Sequence, residues 1–177
     1  MLIYQLDAWV FRDELLYWCN KGYDYVGAPW FTNWGTHEGG ETLWTVGNGG
    51  LSLRNIPFFI QMLSYRWPIT NGIELRKGVL AFVKSILKSF GVHNSMKFMI
   101  KANSDYINED FFLSNFFKFT QKRCLIPTTP HPEEAARFSF EKSPEYLYTY
   151  CSNKLPFGCH AFEKYEFNTF WRQHIEL

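Results

Sequence analysis

The sequence predicts an α/β fold: a partial mixed sheet flanked by helices. Three observations carry this expectation. Short apolar runs of strand type, broken by Gly and Pro, occupy the first 55 or so residues, while helical spacing of apolar residues dominates the later part. Hydrophobic residues make up 46% of the 177, enough for the core of one ordinary domain, so a single unit spanning 1–177 is expected. No internal repeat, linker or low-complexity stretch divides the chain.

In chain order, residues 2–6 of "MLIYQLD" read as a buried strand ending at Asp7. Residues 12–21 place Leu15, Leu16 and Cys19 at helical spacing, with Gly22 as the stop. "YDYVGAPW" reads as a short strand closed by Gly27 and Pro29, and residues 31–42, with three glycines, as a loop. "LWTV" resumes as a strand and runs into "VGNGGLSLRN". After Asn55 a helix is expected with Pro57 in its first turn, then a second over 74–90. A third covers 108–120, with Asn108 as N-cap and acids in its first turn. "HPEEAARFSFEKSPEYLYTY" reads as a short helix and a turn, "LPFGCHAFEKY" as strand or loop, and "FNTFWRQHI" as a terminal helix.

Composition narrows the partners. Lys plus Arg total 18 against 17 Asp plus Glu, leaving no basic stripe to suit a nucleic acid. The longest apolar helix candidate carries Lys84 and Lys88, so no membrane span is expected. Four cysteines without a CxxC pair, and no secretion signal, point to a reducing, cytoplasmic setting. Aromatic residues reach 20%, and five tryptophans, Trp30 among them, fall in the first quarter. They suit a core, or faces that stack on sugars.

Several residues have the chemistry of a site. Asp7 stands where an apolar strand stops, and ligands of open α/β sheets bind beyond the carboxyl ends of strands. Gln5, two positions earlier, would share its face. A carboxylate there suits Mg²⁺ or Mn²⁺ with ligand phosphates completing the shell; equally, Asp7 would serve as N-cap of a following helix. In "GNGG", Gly47, Gly49 and Gly50 let a ligand approach the main chain and Asn48 offers an amide, although a bulge or hairpin fits the same residues. The stretch matches neither the dinucleotide fingerprint nor the P-loop. Arg54 suits a phosphate or an ordinary ion pair. Glu109 and Asp110 open a helix, where adjacent side chains diverge by about 100°; one would act as general base or both as end charges. His160, among small neighbours, is a competent ligand for a transition ion or a hydrogen-bonded structural residue. Glu141 and Glu145 have no distinguishing context.

Taken together, "YQLDAWVFRDELLYWCNKGYDYVGAPW", "VGNGGLSLRN", "NEDFF", "EEAARFSFE" and "LPFGCHAFEKY" resemble an uncharacterised glycosyltransferase-like family, domain of unknown function 5672. The order of motifs is similar to the C-terminal part of a GT-A sugar-nucleotide glycosyltransferase, from about Leu2 to His174. The resemblance implies that Asp7 stands at the second aspartate of the DxD metal motif, with Gln5 replacing the first. It implies a Mn²⁺ or Mg²⁺ cofactor held by Asp7 and His160, and a donor sugar and acceptor lying along Gln5, Asn48, Gly49, Gly50 and Trp30. One of Glu109 and Asp110 would meet the acceptor hydroxyl, as base if the reaction inverts. A nucleotide-binding half of roughly 100 residues ordinarily precedes the DxD strand; six residues precede Asp7 here. The resemblance therefore implies a chain truncated at its N-terminus, an exposed sheet edge, and a homo-oligomer or a partner supplying the missing half.

The function expected on this basis is metal-dependent transfer of a sugar from a nucleotide-diphosphate donor to a hydroxyl acceptor. The alternative is a non-catalytic carbohydrate-binding or assembly remnant of the same fold. A metal-dependent hydrolase would need several clustered carboxylates, which the sequence does not offer.

Overall fold

The computed structural model describes residues 1–32, 36–67, 83, 86–87, 90, 95–96, 100–101, 108–114, 120 and 122–176. The chain forms two compact units, Met1–Asn55 with Thr128–Leu177, and Ile56–Pro127. The fold is mixed α/β, with small sheets and short helices.

In the first unit the strands are β1 (Leu2–Tyr4), β2 (Ala8–Val10), β3 (Tyr25–Val26), β4 (Ala28–Phe31), β5 (Leu43–Gly47), β6 (Leu51–Arg54), β7 (Ser139–Phe140) and β8 (Gly158–His160). They form three small sheets, ordered β1-β6-β3, β2-β8-β7 and β4-β5. All pairs are antiparallel except β7 with β8, which is parallel. β6 lies in the centre of its sheet, and Leu51, Ser52 and Leu53 are accordingly buried on both faces.

The helices, in chain order, are α1 (Leu15–Asn20), α2 (Ile56–Leu63), α3 (Glu109–Ser114), α4 (Pro132–Phe138) and α5 (Pro144–Tyr150). α1 buries Trp18 and gives way to Gly22, whose φ of +75° continues no helix. α4 starts on Pro132, places Glu133 and Glu134 in its first turn and Arg137 in its last, and so matches its own dipole. Its inner face buries Ala135, Ala136 and Phe138.

Two apolar clusters hold the first unit together. In one, the edge of Trp18 meets Phe138 at 5.2 Å and Phe138 stacks on Phe157 at 5.3 Å, above Ala8, Leu51 and Leu53. In the other, Phe140, Leu147, Cys159 and Phe170 pack round Trp171, on which Phe11 stacks at 5.7 Å. Phe140 of β7 and Cys159 of β8 belong to the second cluster, directly preceding Glu141 and His160 in the chain. Asp24 closes the unit where the chain leaves and re-enters it. Its carboxylate accepts from the Thr128 hydroxyl at 2.7 Å, the Thr128 N–H at 3.0 Å and the Asn55 amide at 2.9 Å.

The second unit, by itself, contains α2, with Pro57 in its first turn and Phe59 and Met62 buried, and α3. A 3₁₀ turn over Arg123–Leu125 buries Leu125, and Lys122 donates to the Tyr65 hydroxyl at 2.8 Å.

The structure departs from the sequence-based expectations in several places, among them the strand expected to close at Gly27 and Pro29, which is followed by β4 running through Pro29 and paired with β5. β1 is an edge strand in its described sheet rather than a buried central one, and Leu6 is fully exposed, because only β6 pairs with it. Asp7 caps no helix, since β2 follows at once. The "GNGG" turn closes no hairpin, because β5 pairs with β4 while β6 joins another sheet. Residues 132–150 hold two helices with β7 between them, as the parallel pairing with β8 imposes extended backbone on Ser139 and Phe140. The terminal segment closes in a 3₁₀ turn, Trp171–Gln173, after tight turns led by Ala161 and Glu166 at positive φ. The helix expected over 74–90, and residues 115–119 of the one expected over 108–120, lie largely outside the described residues.

Candidate functional site

The pairing of β2 with β8 places Ala8 directly opposite His160. Asp7 precedes Ala8, and its carboxylate Oδ1 lies 3.2 Å from His160 Nε2. Gln5 reaches the same nitrogen, with Oε1 at 3.1 Å. Gln5 and Asp7 do not share a strand face. β1 stops at Tyr4, and a turn in which the Ala8 N–H bonds the Gln5 carbonyl at 3.1 Å brings the two side chains together. The Gln5 N–H also donates to the Gly50 carbonyl at 2.9 Å, tying this turn to the glycine stretch.

The other ring nitrogen faces a third group. Nδ1 is buried without a hydrogen-bond partner and lies 3.6 Å from Glu141 Oε1, an ion-pair separation too long for a hydrogen bond. The side chains of His160 and Glu141 are 14% and 16% exposed and that of Asp7 is 43% exposed, so the cluster is solvated from the Asp7 side. Burial alone would lower the imidazole pKa. The Glu141 carboxylate, then Asp7, more than offset this, and the pKa of His160 is raised above its ordinary 6.5. The physical content is simple: Nε2 points at two acceptor oxygens and Nδ1 at a carboxylate, so the ring is placed to carry two protons, or one proton and a cation.

Gly50 makes this arrangement possible. A methyl group at Gly50 would sit 2.5 Å from His160 Cε1 and nearer still to Nε2 and Cδ2. Asn48, 2% exposed, holds the turn at φ 76°: its Oδ1 accepts the Gly50 N–H at 2.9 Å and its carbonyl accepts the Tyr25 hydroxyl at 2.8 Å. Its Nδ2 is buried with no partner, a donor left over for an acceptor. The Gly49 carbonyl accepts from the Ser52 hydroxyl at 3.4 Å. Trp30 is buried, 9% exposed, with its indole against Gly47 where a Cβ would collide. Arg54 donates to the Ser52 hydroxyl at 3.1 Å and lies 5.7 Å over the Tyr25 ring. Glu109 and Asp110 open α3 in the second unit, where Asp110 Oδ1 accepts the N–H of Phe111 at 2.8 Å.

Glu141 is the member of the cluster with no signal in the sequence. The parallel register of β7 and β8 sets Phe140 beside Cys159, and so carries the next residue of each strand, Glu141 and His160, to the same place. That pairing is the signal, and it exists only in the fold.

The donor set suits a hard or borderline cation. Adjacent ligand atoms at right angles on bonds of about 2.1 Å lie about 3 Å apart, as Nε2 does from Oδ1 and Oε1. Glu141 stands behind the histidine as the carboxylate that orients metal-ligating imidazoles does. Among the described residues, however, no group of three or more His, Cys, Asp and Glu side chains surrounds one point. Any cation here would rest on one carboxylate, one imidazole and one amide, and would need oxygens from its ligand. A cavity of about 680 Å³ in the same unit lies beyond the other end of β2, from Arg12 onward, and contains none of these residues.

No helix among the described residues is long and apolar enough to cross a membrane. No curated protein and no solved structure matches the chain. The model of a family described as protein of unknown function (DUF5672) matches residues 1–160, from the first strand to the histidine of this cluster, and the chain belongs to that family.

Proposed function

We propose that this protein transfers a sugar from a nucleotide-diphosphate donor to a hydroxyl acceptor, with a divalent cation held by Asp7, His160 and Gln5. The single observation supporting this reading is the meeting of those three donor atoms at 3.1–3.2 Å beside a turn that Gly50 leaves bare. The GT-A likeness of the motif order points the same way.

On this reading each residue has a physical task. Glu141 favours the proton on Nδ1, which turns the Nε2 lone pair toward Asp7 and Gln5. Asp7 supplies the one negative charge among the three, so affinity depends on the diphosphate oxygens of the donor. Gly50 keeps a side chain away from Nε2, and the spare Nδ2 of Asn48 offers a hydrogen bond to a donor oxygen. A bound cation would neutralise the charge developing on the leaving diphosphate. The role of Glu109 or Asp110 as acceptor base rests on the resemblance alone.

The second reading is a carbohydrate-binding remnant of the same fold without catalysis. Thermal unfolding with Mn²⁺ and a panel of UDP-sugars separates the two. A donor at a hundredfold excess over its Kd stabilises by about 2.7 kcal/mol, which at about 2–4 °C per kcal/mol raises Tm by roughly 5–10 °C. The rise is expected only with metal and nucleotide together, and is expected to vanish in Asp7→Ala and His160→Ala. No shift with any donor would favour the remnant; an undiminished shift in both variants would refute the site.

A further inference from the structure

The cavity beyond β2 is independent of the His160 cluster. Three segments of the first unit line it: residues Arg12 to Trp18, the Glu133 and Arg137 side of α4, and the chain from Tyr150 to Leu155 at the end of α5. Its volume of about 680 Å³ is that of a site for a small organic molecule, far beyond the roughly 30 Å³ share of a water.

The charges around it are unequally committed. Arg12 is paired with Glu14 at 3.3 Å. Glu133 is approached by His131 at 3.7 Å and by the phenol of Tyr150. Neither Arg137 nor Lys154 forms an ion pair within 4 Å or a side-chain hydrogen bond among the described residues, although Arg137 acts at longer range on Glu134 and Cys151, and the only carboxylate of the lining without either contact is Asp13. Two tyrosine rings, Tyr17 and Tyr150, complete the wall. A guanidinium and an ammonium lining one cavity without a close carboxylate partner suit a phosphate, the fork binding two oxygens and the ammonium a third. Aromatic faces suit a ring, and a free carboxylate accepts from hydroxyl groups.

We propose that this cavity binds a phosphorylated, hydroxyl-bearing ring the size of a monosaccharide phosphate, with Arg137 and Lys154 taking the phosphate. A bare phosphate would leave most of the volume empty and Asp13 without a role.

The test uses the full chain, titrated calorimetrically with glucose 6-phosphate, inorganic phosphate and glucose, with tryptophan fluorescence reporting on Trp18 in the cavity wall. Glucose 6-phosphate is expected to bind saturably and more tightly than either fragment. Arg137→Gln and Lys154→Gln are each expected to weaken it about tenfold, the loss of one charge-assisted contact. Arg172→Gln, an exposed change outside the cavity, is expected to leave binding unchanged. Both lining residues are exposed, so circular dichroism superimposable on that of the parent is expected of both variants. No saturable binding of glucose 6-phosphate, equal affinity for inorganic phosphate and glucose 6-phosphate, or undiminished binding by both folded cavity variants would each overturn the proposal.

Discussion

Replacing Gly50 by alanine is the most direct test of the His160 cluster. The backbone at Gly50 is not in the left-handed region, so alanine is conformationally acceptable and its only obstacle is the imidazole. The added methyl would lie 2.5 Å from Cε1 and closer to Nε2 and Cδ2, well inside van der Waals contact. The obstacle is a rigid ring, 14% exposed and held by carboxylates on both nitrogens, not the end of a flexible chain. Overpacking of this kind costs about 1–3 kcal/mol, a fall in Tm of roughly 2–12 °C for a chain of this length. With His160→Ala the ring, which supplies the three nearest atoms, is gone. The double-mutant cycle is therefore expected to show a coupling of about 1–3 kcal/mol, with Gly50→Ala nearly silent in the His160→Ala background. Thermal unfolding of the four proteins measures it. In Gly50→Ala the displaced ring leaves Asp7 and Glu141, and its pKa, followed by the NMR shift of Cε1–H, is expected to fall. An equal cost of Gly50→Ala in both backgrounds would refute the proposed packing of glycine against imidazole.

Other consequences are open to the same methods. The raised pKa of His160 means that the folded state holds its proton more tightly than the unfolded state. In metal-free protein its contribution to stability is therefore complete below pH 6.5 and is lost as pH rises through the folded value; the difference in Tm between wild type and His160→Gln, followed from pH 5 to 9, is expected to shrink upward. Glu141→Gln removes the larger of the two charges raising that pKa and is expected to lower it, by NMR titration, more than Asp7→Asn does. Ala161, next to His160, sits at φ 54°, where glycine carries no Cβ penalty; Ala161→Gly is expected to stabilise by about 0.5–1 kcal/mol in denaturant unfolding. Asp24→Ala breaks three hydrogen bonds that join residues 24, 55 and 128 and is expected to cost about 1.5–3 kcal/mol by the same measurement.

Local chemistry in the sequence was enough to locate much of the scaffold and to single out candidate site residues. Gly22 ends α1, Pro57 stands in the first turn of α2, Asn108 directly precedes α3, and "LWTV" lies within β5, because stops, caps and strand-forming runs act over a few residues. Asp7 and His160 were legible as candidates, since a carboxylate at a strand end and an imidazole among small residues are uncommon. What the sequence did not contain was their relation. The separation of 3.2 Å between residues 153 positions apart follows from the antiparallel register of β2 and β8, and the arrival of Glu141 from the parallel register of β7 and β8. Register is set by which side chains share a core, here Phe140 and Cys159 round Trp171 and Leu51 with Ala8 and Phe138, and no local pattern encodes a choice made between distant segments. The same cause explains the misread ends: β1 proved an edge strand because of what lies beside it, and "GNGG" a passage between sheets because β5 and β6 found different partners. Residue chemistry made Asp7, Gln5 and His160 candidates; only tertiary packing decided that the first two meet at one nitrogen of the third.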